Sequence, residues 1–169
     1  GMVIMGFRAV SSRSRGMGLL LAFGSLLLAG CSDGGRDPTP RDLSLRFATE
    51  VQDTVTFDFD SAELDAAARH VLDAQASFIR QTPQAWFQVE GHADRTGQQA
   101  YNLDLGRRRA TAALDYLVSR GVNPAQLYAL VSFGEERPAI DTQERERRNR
   151  RVIVSVGGYL DAACKCRQR

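Results

Sequence analysis

The apolar residues of this chain follow two different periods between Asp53 and Val156. Segments in which every second residue is apolar are typical of half-buried strands, and segments with an apolar residue every three or four positions are typical of amphipathic helices. The strand period is clear around Val55, Phe57 and Phe59. The four predicted strands are Asp53–Asp60, Ala85–Ala93, Leu127–Phe133 and Arg151–Val156.

Two amphipathic helices are predicted between the first three strands. In the first helix, apolar residues recur at helical spacing from Leu64 to Ile79. Either Ser61 or Asp65 is positioned to cap its start, and Pro83 prevents it from continuing.

The second helix is longer and is predicted to run from just after Thr96 to about Arg120. Thr96 and Gln99 have the spacing of a capping box, and Gly121 is well placed to end the helix. Because successive helical residues are rotated by about 100°, one face of this helix is predicted to enter the core. That face carries Leu103, Ala110, Leu114, Leu117 and Val118.

Strands that alternate with amphipathic helices predict an α/β fold, a two-layer sandwich in which a small mixed β-sheet carries both long helices on one face, in the order βαβαββ. The 169 residues accommodate one such domain, at residues 52–157, with accessory segments on either side. Residues 31–51 are rich in Gly, Pro, Ser, Asp and Arg and show no persistent period, so they are predicted to form a flexible tether. Residues 158–169 are predicted to be a disordered tail.

The composition argues against nucleic acid as a partner and against catalysis. The net charge is only +2, whereas nucleic-acid-binding domains concentrate basic residues on one face. No phosphate-binding loop, serine elbow or zinc spacing occurs, so we expect no enzyme activity, metal or cofactor. His92 is expected to fix its loop by hydrogen bonding. Cys164 and Cys166 are too close in sequence for an unstrained mutual bridge, and are expected to be incidental or to form an intermolecular disulfide.

Residues 1–30 are predicted to be a targeting segment, with Gly1 interpreted as a cloning remnant. Several arginines precede a short apolar run that ends at Cys31, which is the arrangement of a secretory signal and is shorter than the roughly 20 apolar residues of a membrane-spanning helix. The segment Leu27–Cys31 resembles the lipobox of bacterial lipoproteins. This resemblance implies cleavage before Cys31, lipidation of that residue and, with Ser32 next to it, delivery to the outer membrane. An ordinary signal peptide with a chance cysteine is the alternative.

Polar residues cluster around the predicted start of the second helix. Asp94 lies just ahead of the helix, while Asn102, Leu105 and Arg109 form a narrow sector that leads back towards it. Together they could line a groove suited to a zwitterion, because a guanidinium binds a carboxylate through two N–H groups and Asp94 can accept hydrogen bonds from an ammonium group. From spacing alone, the alternative is that Asp94 caps the helix and Arg109 forms an ordinary ion pair.

Five blocks of the sequence, in their order and spacing, resemble the OmpA-like peptidoglycan-binding family. The blocks are FDFDSAEL, VEGHADRTG, YNLDLGRRRA, VSFGEERPA and RRNRRV. The resemblance covers residues from about Thr54 to Val156 and implies binding rather than catalysis. Members of this family hold the meso-diaminopimelate side chain of the peptidoglycan stem peptide, whose free end carries both an ammonium and a carboxylate group.

Carried over position by position, the resemblance implies six ligand contacts. Asp94 would pair with the ammonium group and Arg109 would bind the carboxylate, so Arg109→Ala is expected to abolish binding while leaving thermal stability nearly intact. The other four contacts, which would line and close the groove, are Asn102, Leu105, Phe59 and Asp60. Residues 149–151 match the family's Asn-Arg-Arg signature, either as a ligand contact or as a solvated basic loop.

The resemblance and the lipobox together imply a lipoprotein on the periplasmic face of the outer membrane, anchored by its lipid and bound non-covalently to the cell wall. The implied partners are peptidoglycan, the outer membrane and, in the Tol system, TolB and other Tol proteins. The alternative function is that of an accessory lipoprotein that docks a secretion or motility apparatus on the wall.

Overall fold

The computed structural model describes residues 39–159, except for the side chain of Tyr159. The elements follow in the order α1 (Pro40–Glu50), β1 (Thr54–Thr56), α2 (Ala66–Gln81), β2 (Ala85–His92), α3 (Gln99–Ser119), β3 (Leu127–Gly134) and β4 (Arg151–Tyr159). Short 3-10 turns at Pro124–Gln126 and Arg147–Asn149 precede β3 and β4. Within residues 39–159, no helix combines the length and apolar character needed to cross a bilayer. The predicted signal segment, Cys31, and the pair Cys164 and Cys166 lie outside the described residues.

The four strands form one mixed sheet in the order β1-β4-β2-β3. Strand β4 is antiparallel to both β1 and β2, whereas β2 and β3 are parallel. Alternation along β2 buries Phe87 and Val89 in the core that α2 and α3 cover, and leaves Trp86 half-buried on the opposite face. The predicted α/β class and mixed sheet are therefore confirmed.

Helix α1 corrects the prediction of a flexible tether at residues 31–51, since residues 40–50 are helical. Thr39 and Asp42 form a reciprocal capping box, and Pro40 occupies the first turn, where its missing N–H group has no consequence. These local signals start a helix of only 11 residues, which is too short for its apolar period to stand out in the sequence.

Helix α1 is part of the domain because it buries two apolar residues. Leu43 and Phe47 are 0% and 2% exposed, and the ring of Phe47 packs edge-on against Phe78 of α2 with centroids 5.2 Å apart. The Ser44 hydroxyl donates to the carbonyl of Val156 at 2.9 Å. Since β1 pairs only with the first part of β4, this contact satisfies a carbonyl further along the same strand.

The buried face of α3 also differs from the predicted one. Leu103 and Val118, both predicted to be core residues, are 40% and 38% exposed. The residues that are buried are Asn102, Leu105, Gly106, Arg109, Ala110, Ala113 and Leu117. The prediction is confirmed for Ala110 and Leu117 and wrong for Leu103 and Val118. It assigned the core face by hydrophobicity alone, whereas Asn102 and Arg109 are buried with polar partners.

Two glycines bring α3 directly against the sheet. A Cβ atom on Gly91 of β2 would lie 1.9 Å from the carbonyl oxygen of Gly106, and one on Gly106 would lie 2.4 Å from the Ser132 hydroxyl of β3. Only glycine allows so close an approach of helix and strand. The contact fixes the height of α3 above the sheet, and with it the position of the first turns of α3 beside the end of β2.

Candidate functional site

A cleft of about 190 Å³ opens beside the first turns of α3. It is lined by Phe59, Asp60, Asp94, Thr96, Gly97, Tyr101, Asn102 and Leu105. Five of the six residues predicted to contact a ligand therefore line one cleft, and Arg109 is the exception. The lining also contains Thr96, Gly97 and Tyr101, which the sequence analysis did not select.

The sheet topology explains why separate segments meet at this cleft. Because β1 and β2 are both antiparallel to β4, they run in the same direction, and their C-terminal ends lie at the same end of the sheet. Phe59 and Asp60 follow β1, and Asp94 follows β2. Asn102 and Leu105 come from the first turns of α3, which the glycine contact holds at this end of β2.

The loop after β1 reaches the cleft through an unusual backbone conformation. Asp60 has a φ of +53°, the only positive value at a non-glycine residue within 39–159, and Asp tolerates this region better than most residues. The Tyr101 hydroxyl donates to Oδ1 of Asp60 at 2.5 Å, and this bond raises the pKa of Tyr101. The contact ties the loop to the first turn of α3 across the cleft.

Asp94 is 4% exposed and has one carboxylate oxygen engaged by a cation. Its Oδ2 accepts from Nη1 of Arg150 at 3.0 Å, while Oδ1 accepts only a long bond of 3.4 Å from the backbone N–H of Thr96. Oδ1 therefore retains capacity for a further donor, because a carboxylate oxygen accepts two hydrogen bonds. The sequence left two alternatives for Arg150, a ligand contact or a position in a solvated loop. In the structure its guanidinium binds Asp94.

Asp94 does not cap α3, and neither does Thr96. The N-cap residue is Gln98, and no side chain among the described residues caps this helix, so the predicted capping box of Thr96 and Gln99 is wrong. Gly97 adopts a φ of +109° in the turn that leads into α3. The backbone N–H groups of the first turn therefore have no side-chain partner among residues 39–159, and the helix dipole at this end favours an anion.

Arg109 lies behind the cleft rather than in its lining, and is 0% exposed. Its guanidinium donates to three backbone carbonyls, those of Ser61 at 2.7 Å, His92 at 3.0 Å and Asp58 at 3.1 Å. Burial lowers the pKa of Arg109 to about 10, so the side chain stays charged at neutral pH. The expected arrangement, in which Asp94 and Arg109 face each other across an open groove, is not the one observed.

The charges around the cleft nearly balance. Arg109 and Arg150 provide two buried cations, Asp94 provides a buried anion, and Asp60 adds a carboxylate at the exposed rim. The Asn102 amide donates to Oε2 of Glu135 at 2.5 Å, which fixes its orientation in the lining. Fixed charges of both signs suit a ligand group that itself carries both signs.

Asn149 and His92 are buried outside the lining of the cleft. Asn149 is buried and exchanges hydrogen bonds with the backbone of Ile140 at 2.8 and 2.7 Å. Neither imidazole nitrogen of His92 has a hydrogen-bond partner among residues 39–159, so the expected hydrogen-bonding role of this side chain is wrong. Burial lowers the pKa of His92 to about 4, and its ring stacks on Phe133.

Comparison with known proteins agrees with the fold and the motifs. The family model "OmpA family" matches residues 56–151. The chain is 36% identical to the peptidoglycan-associated lipoprotein of Brucella melitensis over 166 residues, which cover 89% of this chain and 98% of that protein.

Solved structures show the same domain. The crystal structure of the peptidoglycan-associated lipoprotein from Burkholderia pseudomallei matches 62% of this chain and 90% of its own, with a TM-score of 0.59 and 33% identity. The C-terminal domain of Helicobacter pylori MotB matches 68% of this chain and 90% of its own, with a TM-score of 0.57 and 25% identity. The similarity to the peptidoglycan-associated lipoprotein of Brucella melitensis extends over almost the whole length of that protein. The protein therefore belongs to the OmpA family.

Proposed function

We propose that the protein binds the zwitterionic end of diaminopimelate in peptidoglycan stem peptides, in the cleft beside α3, and acts as a binding protein rather than an enzyme. The observation that carries this proposal is the convergence of Phe59, Asp60, Asp94, Asn102 and Leu105 on one cleft. These residues come from separate segments, and they are five of the six that the family resemblance selects. The names of the relatives also associate them with peptidoglycan.

The ammonium group of the ligand is assigned to the acidic side of the cleft. Oδ1 of Asp94 has only one long hydrogen bond, and Asp60 presents a second carboxylate at the rim. Hydrogen bonds from an ammonium group to these oxygens would be charge-assisted and hence stronger than neutral ones. Arg150 keeps Asp94 oriented by binding its other oxygen.

The carboxylate group is assigned to the uncapped N-terminus of α3, with Arg109 behind it. The first-turn N–H groups are donors for an anion, and the buried guanidinium adds a fixed positive charge from the rear of the cleft. Three of the five guanidinium N–H groups already bind carbonyls. The other two N–H groups are buried with the rest of the side chain, so Arg109 would bind the ligand directly only where the loop that contains Asp58 and Ser61 moves aside.

The size of the cleft fits the end of one side chain. Sites for drug-sized molecules have volumes of about 300–1,000 Å³. At about 190 Å³, this cleft accommodates an amino-acid terminus but not a whole sugar-peptide unit. Affinity per contact is therefore expected to be modest, and many copies acting on one polymer would supply the strength of attachment.

The proposal extends to the cell envelope. A lipid on Cys31 would hold the protein on the periplasmic face of the outer membrane while the domain binds the wall, and the Tol proteins, TolB among them, would be its protein partners. The word lipoprotein in the names of the relatives supports the anchor. The alternative, docking of a secretion or motility apparatus, has no comparable observation in its favour.

Co-sedimentation with purified diaminopimelate-type peptidoglycan tests the binding site. Asp94→Asn removes the charge that the ammonium group needs, so this variant is expected to stay in the supernatant. Asp104→Asn is the matched control, because Asp104 lies on the exposed face of α3 and pairs there with Arg108. Equal sedimentation of Asp94→Asn and the control would contradict the assignment.

A further inference from the structure

Arg145 lies at the rim of the cleft, stacked on Phe59. The centre of its guanidinium is 3.7 Å from the centroid of the Phe59 ring, which is among the closest cation–π contacts within residues 39–159. Phe59 is 40% exposed and forms one wall of the cleft, and Arg145 is exposed. An exposed aromatic ring next to a charged side chain at the edge of a binding cleft is a feature that the site described above leaves unexplained.

Three neighbouring arginines have carboxylate partners, and Arg145 differs from them. These ion pairs are Arg147 with Asp58 and Asp65, Arg148 with Glu146, and Arg150 with Asp94. Among the described residues, no carboxylate lies within 4.0 Å of the Arg145 guanidinium, and its hydrogen-bonding groups have no protein acceptor. Stacking holds the face of the guanidinium against the ring and leaves the N–H groups, which lie in its plane, free to bind an acceptor.

We propose that Arg145 binds a second carboxylate of the stem peptide, the free α-carboxylate of the γ-linked D-glutamyl residue that precedes diaminopimelate. This inference rests on the function proposed above. The lining of the cleft contributes the carboxylates of Asp60 and Asp94 and no basic side chain, so a further anion entering beside it meets repulsion from Asp60. Arg145 can offset this repulsion because its guanidinium lies against the ring of Phe59, at the rim of the cleft.

The competing explanation is that Arg145 only supports the ring of Phe59. The two explanations differ in what the ligand must carry. Support of the wall affects every ligand of the cleft equally, whereas recognition of a carboxylate depends on whether the ligand has one. A pair of ligands that differ in this single group therefore separates them.

Isothermal titration with two tripeptides provides the test. One is L-alanyl-γ-D-glutamyl-meso-diaminopimelate, and the other is the same peptide with D-isoglutamine, in which the α-carboxylate is an amide. The wild-type protein is expected to prefer the glutamyl peptide by about fivefold, as a well-ordered exposed ion pair allows. Arg145→Ala is expected to lose this preference, because no cation then offsets the repulsion between Asp60 and the α-carboxylate, while its affinity for the isoglutamine peptide stays near that of the wild type. The control Arg148→Ala removes a nearby exposed arginine and is expected to retain the preference.

Two results would overturn the inference while leaving the proposed function intact. One is equal affinity of the wild type for the two peptides. The other is an equal loss of affinity for both peptides in Arg145→Ala, which would assign Arg145 to support of Phe59. If the wild type binds neither peptide, the proposed function fails and the inference fails with it.

Discussion

Nη1 of Arg150 lies 3.0 Å from Oδ2 of Asp94, and this buried ion pair joins the start of β4 to the loop after β2. The two residues are 56 positions apart in the sequence. Nε of Arg150 also donates to the carbonyl of Phe57, at the end of β1, with a distance of 3.1 Å. One side chain thus connects three segments beneath the cleft, and Asp94 is held in place before any ligand arrives.

Removal of Arg150 is expected to destabilise the fold. In the fold Asp94 is only 4% exposed, and in Arg150→Ala it would lose its cation; an uncompensated buried charge costs about 3–5 kcal/mol. Urea denaturation should show this loss in the free energy of unfolding. The control Arg148→Ala removes an exposed arginine and should unfold almost as the wild type does. Similar midpoints for the two variants would show that the Asp94–Arg150 pair contributes little.

Substitution of Arg109 is expected to reduce stability as well as binding. Arg109→Ala leaves three backbone carbonyls without their donor and opens a cavity, so the free energy of unfolding should fall by about 3–5 kcal/mol. This differs from the expectation based on sequence, in which the side chain was exposed and dispensable for folding. Thermal melts of Arg109→Ala and of the exposed neighbour Arg107→Ala make the comparison. A wild-type melting temperature for Arg109→Ala would contradict the role of the three bonds.

His92 is expected to make stability depend on pH. In the fold the pKa of His92 is about 4, whereas in the unfolded chain it is near 6.5. Between these values the unfolded state binds a proton that the folded state does not, so stability is full above pH 6.5 and falls as the pH drops towards 4. The loss should be on the order of 3 kcal/mol.

The matched variant for this effect is His92→Phe, which cannot titrate and replaces a ring whose nitrogens have no partners among the described residues. Urea denaturation between pH 4 and 7 should give a smaller decrease in stability for the variant than for the wild type. The difference between the two proteins isolates His92 from carboxylates that titrate in the same range. Parallel curves would show that His92 is not the group responsible.

Helix α1 is expected to be an integral part of the domain. Phe47→Ala removes a ring that is 2% exposed and packs on Phe78, and should lower the free energy of unfolding by about 3–5 kcal/mol. Leu45→Ala is the control on the same helix, since Leu45 is 55% exposed. Chemical denaturation of both variants measures the difference. An equally small effect of the two substitutions would contradict this expectation and would favour a flexible tether at residues 40–50.

The sequence correctly predicted the strands and helices whose positions follow from local periodicity. Alternation at Phe87 and Val89 predicted a half-buried strand, and that strand lies in the middle of the sheet. Asp65 is one of the two residues predicted to cap α2. Its side chain does cap the helix, since it accepts a hydrogen bond from the N–H of Ala68. These features depend on residues close together in the chain, and hence the local pattern contains the information.

The failures have a common physical cause. The burial of Asn102 and Arg109 depends on Glu135 and on backbone carbonyls of Asp58, Ser61 and His92, which only the tertiary fold brings together. A hydrophobicity pattern cannot register such partners, so it included the exposed Leu103 in the core face of α3 and left out Asn102 and Arg109. The pairing of Asp94 with Arg150 was missed for the same reason.

The most direct test of the central claim is an NMR titration of the protein with two stem tripeptides, one containing meso-diaminopimelate and one containing lysine. Lysine lacks the terminal carboxylate, so it leaves the donors at the start of α3 without a partner. We expect shifts of the amide signals of Asp94, Thr96 and Gly97 with the diaminopimelate peptide, and affinity for the lysine peptide weaker by at least about tenfold. Equal affinity for the two peptides, or shifts confined to residues away from the cleft, would contradict the central claim.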